Sequence, residues 1–300
     1  MRIVPLGDAA ALTAELRAFD ASAALDVPAF AWVLEVADGP VRVAYLLREA
    51  RAAPALAARV RRAARRVRQL LAEWGQPRLA MAYTVVPRAA PRRWPTHGAQ
   101  VAAQHINGGF TYRGGGASET KVIYILRKEE YPKVMLHEAL HHTRAHAAVA
   151  PAAVSFLRAT YAIHPGTPLL AEEGIIEAAA TLAQARFVAD ACGLAADSVL
   201  ERERLWAVQQ ARRLLCYQAH YYPQWQETTN AFAYLVVRAL CLTQPRAFLA
   251  ALQQLKAGAP VDWTAFFQRA HSAAHASWQK DCRGARPPTG SMRMTLFGDG

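Results

Sequence analysis

The chain has 300 residues, 53% hydrophobic and 19% charged, which excludes a disordered polypeptide and leaves room for one large core or two smaller ones. Its formal net charge of +12 admits nucleic acid or another acidic partner, although heavy arginine usage produces such an excess by itself. The start, "MRIVPLGDAAALTAELRAF", holds no continuous apolar run of leader type, and no window reaches about 18 uncharged apolar residues, so neither a signal peptide nor a membrane span is expected. The four cysteines, Cys192, Cys216, Cys241 and Cys282, form no CxxC pair. Their wide spacing predicts neither a disulfide framework nor a cysteine-type zinc site, and an intracellular, reducing location.

Residues 1–95 read as an α/β segment. "FAWVLEVADGPVRVAYLL" predicts two strands around a turn at Asp38-Gly39-Pro40. "PALAARVRRAARRVRQLLAEWG" predicts a helix with Pro54 near its start and Gly75 as its stop. "RLAMAYTVV" follows as a buried strand, and the proline-rich "PRAAPRRWPTHG" marks a boundary near residue 95. Beyond it, strands are expected at 106–112 and 122–126 around a glycine-rich turn. A helix then begins near Tyr131-Pro132, with Glu129 and Glu130 suited to its N-terminal dipole. From Pro151 the pattern is helical, at about 152–162, 168–192, 196–221, 227–242, 245–256 and 262–278. Residues 284–300 read as a flexible tail, leaving 96–283 as the second domain.

The helix near Tyr131 carries His137-Glu138-Ala139-Leu140-His141, an HExxH. Residues four apart on an α-helix differ by about 40° in azimuth and one turn in height, so both imidazoles can reach one Zn2+ ion. The intervening glutamate points about 100° from the first histidine, beside the ion and not onto it. There Glu138 can act as general base towards water that the ion acidifies. Catalytic zinc usually takes a third protein ligand. Ala147 and Arg144 stand where the longer HExxHxxGxxH pattern has histidine and glycine. His146 falls on the opposite helix face, and His142 is also turned away from His137.

"PLLAEEGIIEAAATLAQARF" supplies the third ligand instead. Glu173 and Glu177 lie one turn apart in an otherwise apolar helix, where two acids are costly unless they face a cation or polar site. Glu173 is read as the ligand, Glu177 as the group orienting His137, and Glu172 as the rival ligand. This is the arrangement of glutamate zincins, and it predicts a peptidase acting on peptide or protein substrate. An edge strand at "KVIYILR" beside the helix would pair with that substrate. An oxyanion donor is sought among His220, Tyr221, Tyr222 and Tyr234, with Tyr234 favoured. Thr228, Thr229 or Asn230 can cap the helix that carries Tyr234.

"INGGFTY", "IYILRKEEYPKVMLHEALHH", "LLAEEGIIEAAA" and "QETTNAFAYLVVRAL" resemble the zinc metalloproteinase family of nucleocytoplasmic large DNA viruses, over 105–178 and 224–240. Ala139 and Pro132 stand where that family leads one to expect bulkier residues. The resemblance implies a zinc-dependent peptidase-like viral protein of host cytoplasm or virion, with His137, His141 and Glu173 as ligands and Glu138 as base. The fold expected is α+β: a zincin-like catalytic domain with a small mixed sheet, the HExxH helix and a predominantly helical C-terminal half.

Two other functions stay open. A non-enzymatic structural or virion protein would use zinc only to join its helices, with four protein ligands and no room for water. A nucleic-acid or acidic-partner protein would use Arg59, Arg61, Arg62, Arg65, Arg66 and Arg68 on one amphipathic helix, opposite a face of Val60, Ala64, Val67 and Leu71.

Overall fold

A computed structural model describes residues 1–18, 27–88, 109–111, 120–127, 130–163, 169–221, 232–278 and 295–297. The chain is mixed α and β and divides into two compact units. The first comprises Met1–Arg92, Asn107–Ala139 and Phe297–Gly300, and the second Arg93–Ile106 and Leu140–Leu296.

The first unit is built on a six-stranded sheet in the order β1-β2-β3-β4-β6-β5. The strands are β1 (Arg2–Pro5), β2 (Trp32–Asp38), β3 (Val41–Leu47), β4 (Met81–Arg88), β5 (Gly109–Thr111) and β6 (Lys121–Arg127). β2 and β3 form the expected hairpin, with Asp38 opposite Val41. Gly39 takes φ +59° at the first position of the two-residue loop, a conformation that favours glycine and matches the twist of the strands. β3, β4 and β6 run parallel, while β1 and β5 are antiparallel to their neighbours. The boundary expected near residue 95 is crossed by this sheet, because β5 and β6 join β1–β4.

Helix α1 (Ala9–Arg17) was not anticipated. It starts on Asp8, whose carboxylate accepts the Ala11 N–H at 2.8 Å. Its Leu16 enters a cluster with Phe30, Val33, Leu46, Val86, Tyr124 and Leu126 on one sheet face. Helix α2 (Ala53–Glu73) is the β3-to-β4 crossover and packs on β2 and β3 through Val60, Ala63, Ala64, Val67, Leu70 and Leu71. It ends at Gly75 (φ +73°), where Gln76 N–H donates to Leu71 O at 2.8 Å. Helix α3 (Tyr131–Leu140) follows β6. Tyr131 meets the Tyr45 ring edge-on, and the Tyr83 hydroxyl donates to Met135 O at 2.9 Å.

The described residues of the second unit are helical apart from turns and residues 295–297. The helices are α4 (Pro151–Thr160), α5 (Ala171–Cys192), α6 (Ala196–Tyr221), a π-helical turn Ala233–Val237, α7 (Arg238–Thr243), α8 (Pro245–Lys256) and α9 (Trp263–Trp278). Helix α5 is the core of this unit. Most of its residues are buried, and it packs against α6, α7 and the π turn. Gly174 makes the closest approach possible: a Cβ there would lie 2.3 Å from Ala233 O and 2.4 Å from Val237 Cβ. Pro245 separates α7 from α8, since proline cannot donate to the preceding turn.

Two expectations need correction. Part of the expected tail is held: the Thr295 hydroxyl bonds the buried Glu203 carboxylate, which also accepts Leu296 N–H at 3.0 Å. A buried carboxylate needs such donors, and residues 295–296 supply them. The cysteines are not all reduced either: Cys216 is disulfide-bonded, while Cys192 and Cys241 are free thiols. Sequence spacing could not show this, because pairing depends on where the fold brings sulfurs together. Among the described residues no single helix is long and apolar enough to cross a membrane.

Candidate metal centre

His137 and Glu138 sit near the end of α3, 5% and 6% exposed. The helix is apolar around them, with Val134, Met135, Leu136, Ala139 and Leu140 all buried. Its last residue is Leu140, so His141 opens the turn that follows instead of lying inside the helix. The turn still leaves His141 above His137. One ligand atom from each of His137, His141 and Glu173 lies within 4.8 Å of the others. His141 Nε2 and Glu173 Oε2 are 3.4 Å apart. Ligands on a tetrahedral zinc ion at about 2.0–2.1 Å stand roughly 3.3 Å from one another, so this spacing fits an ion held between them. Two imidazoles and one carboxylate are also a donor set that zinc accepts. His137 is buried and the other two are partly so.

The expected ligand trio is therefore brought together. Glu172, the rival, is partly buried and lies outside the group, as does His142. Among the described residues no fourth His, Cys, Asp or Glu joins it.

Glu177, one turn after Glu173, is 3% exposed. Its carboxylate lies 3.9 Å from Nη1 of Arg238, which is completely buried. Reading the sequence missed Arg238 because "VVRAL" reads as a helix with one outward arginine; only the packing of α5 against α7 turns it inward. Tyr234 lies on the π turn, and its hydroxyl donates to Glu173 Oε2 at 3.3 Å. It thus touches a candidate ligand, where an oxyanion donor had been expected. The side chains of His220, Tyr221 and Tyr222, and residues Thr228, Thr229 and Asn230, lie outside the described residues.

Tyr83 was also missed. It faces inward on β4, bonded to Met135 O, two residues before His137. Burial, and secondarily the negative charge of Glu138, raise its hydroxyl well above the usual tyrosine range. Alternation along "MAYTVV" places this tyrosine inside, but nothing local says that a helix lies against it.

The strand assigned to substrate pairing is corrected. β6 is an interior strand between β4 and β5, so both its edges are occupied. β5 is the outer strand of the sheet on that side. Gly109 of β5 lies against α3: a Cβ there would meet Val134 Cγ1 at 2.8 Å and Glu138 Oε1 at 3.6 Å. The short β5 falls inside the strand expected at 106–112, but its edge position could not be read.

The basic helix α2 divides differently from its helical wheel. Val60, Ala64, Val67 and Leu71 are buried as expected, but Arg66 is also only 8% exposed. Arg68 and Arg65 lean to Asp38, at 2.7 and 3.6 Å. Arg61 and Arg62 are exposed.

No family model matches this chain, and neither does any curated protein or solved structure.

Proposed function

We propose that the chain is a zinc-dependent peptidase of zincin-like architecture, with His137, His141 and Glu173 holding Zn2+ and Glu138 as general base. The carrying observation is the convergence of these three side chains, with buried Glu138 next to His137 on α3. The resemblance to the viral zinc metalloproteinase family belongs to this proposal, as does a peptide or protein substrate.

Zinc at this place supplies Lewis acidity, lowering the pKa of water towards about 7 and polarising a carbonyl. The chain's own groups do the rest. Glu138, fixed on α3, takes the proton of the attacking water and delivers it to the leaving amine nitrogen. Tyr83 secures the backbone of α3 at Met135 and so fixes the direction of Glu138. An extended peptide pairs with the outer strand β5, and Gly109 keeps that approach to Glu138 free of a side chain. Tyr234 holds the Glu173 carboxylate in place.

Buried Glu138, next to His137 on α3, favours this reading over a purely structural zinc, which needs no base beside it. Metal analysis together with hydrolysis of an unstructured peptide library tests it. Wild-type protein should carry one zinc per chain. Glu138→Gln should keep the metal and lose roughly 10²–10⁴-fold in hydrolysis. His141→Ala should lose the metal. Wild-type protein without stoichiometric zinc, or Glu138→Gln with undiminished hydrolysis, sinks the proposal.

A further inference from the structure

We infer that His146 is a positioning residue for the metal centre, holding the His141 ring with Nε2 turned towards the ion. The inference rests on the metal reading above and adds to it a residue that helical periodicity assigns to the opposite face.

His141 has two ring nitrogens in different surroundings. Nε2 lies 3.4 Å from Glu173 Oε2, on the side where the donors converge. Nδ1 lies 3.4 Å from Nδ1 of His146, and the two rings are 5.1 Å apart between centroids. A neutral imidazole carries one proton. An Nε2 that binds a cation must present its lone pair, so the proton of His141 resides on Nδ1. That N–H donates to His146 Nδ1, whose own proton then sits on its Nε2. The opposite polarity, with His146 donating, would put the His141 proton on Nε2 and block the ligand lone pair. Only one tautomer of the pair is compatible with coordination, and the contact holds the ring plane in place. Ligating histidines commonly have a partner of this kind on the second nitrogen.

The turn after α3 is what brings His146 there. Helical geometry would carry residue 146 away, but the helix stops at Leu140. Thr143 closes it: its N–H and hydroxyl both donate to Leu140 O, at 3.0 and 2.8 Å. The same hydroxyl accepts Ala145 N–H at 3.1 Å, and Thr143 O accepts His146 N–H at 3.2 Å. Arg144 Nη1 fastens the turn to Lys256 O at 3.2 Å. These bonds fold "HHTRAH" back on itself, so residue 146 returns alongside residue 141.

The test measures zinc affinity by chelator competition and the visible spectrum of the cobalt-substituted protein, on wild type, His146→Ala and His146→Asn. His146→Ala should bind zinc about 10–100-fold more weakly. His146→Asn, which keeps an acceptor oxygen, should recover part of that affinity with a wild-type cobalt spectrum. If wild type binds zinc and His146→Ala matches it in affinity and spectrum, the positioning role is overturned while the metal centre stands. If His146→Asn shows a cobalt spectrum of lower coordination, His146 is itself a ligand and the role is equally overturned. If wild type binds no zinc, the metal reading falls and takes this inference with it.

Discussion

Helices α2 and α5 are of nearly equal length, and both carry charge among many alanines, yet they handle it in opposite ways. α2 covers one face of a sheet and leaves its other side to solvent, so Arg61 and Arg62 are simply hydrated. α5 is buried over most of its circumference, so Glu177 cannot rely on water and the partly buried Glu173 can do so only in part. Each has a definite neighbour: His141 and Tyr234 for Glu173, and Arg238 for Glu177. Charge on a half-exposed helix says little about function, whereas charge on an enclosed one must be compensated, and the compensation locates the site.

The largest effect that would sharpen this contrast is at Arg238. Arg238→Met leaves Glu177 charged and enclosed, and should lower the unfolding free energy by about 3–5 kcal/mol in urea titrations. Glu177→Leu combined with Arg238→Met should lose less than either single change. Strictly additive losses would mean that the pair is not coupled, and the contrast would fail.

Next in size is Gly174→Ala. A new Cβ would press on Ala233 O and Val237, so α5 and the π turn must separate, at about 1–3 kcal/mol. Thermal unfolding measures that loss. Zinc affinity should fall with it, because Glu173 and Tyr234 lie on the two surfaces being parted. An unchanged melting temperature would show that this approach is looser than drawn.

The smallest effect belongs to α2. Asp38→Asn removes the partner of Arg65 and Arg68, whose side chains are about half exposed. It should cost only about 0–1 kcal/mol, and the difference should shrink as salt is raised. A loss as large as that at Arg238 would erase the distinction between the two helices.

Legibility follows the same division. α2 and its ends were readable because a half-buried helix repeats its apolar residues every turn, and because Pro54 and Gly75 act through their own backbone. The hairpin at Asp38–Val41 was readable for the same local reason. The position of β6 inside the sheet was not, because strand order depends on partners far away in sequence. Glu173 could be found, since two acids in an apolar run are conspicuous. Arg238, Tyr83 and His146 could not, since nothing near them in sequence says what they face.

Local rules thus sufficed for parts of this protein whose geometry is repeated within a few residues: helix α2, the hairpin and the HExxH spacing that sets His141 near His137. Only the tertiary structure decided which strand lies at the sheet's edge, that α3 ends at Leu140 so that His146 turns back, and that Glu177 meets an enclosed arginine. The reason is that these contacts join residues distant along the chain or reverse its direction, and their geometry is set by packing that no periodicity encodes.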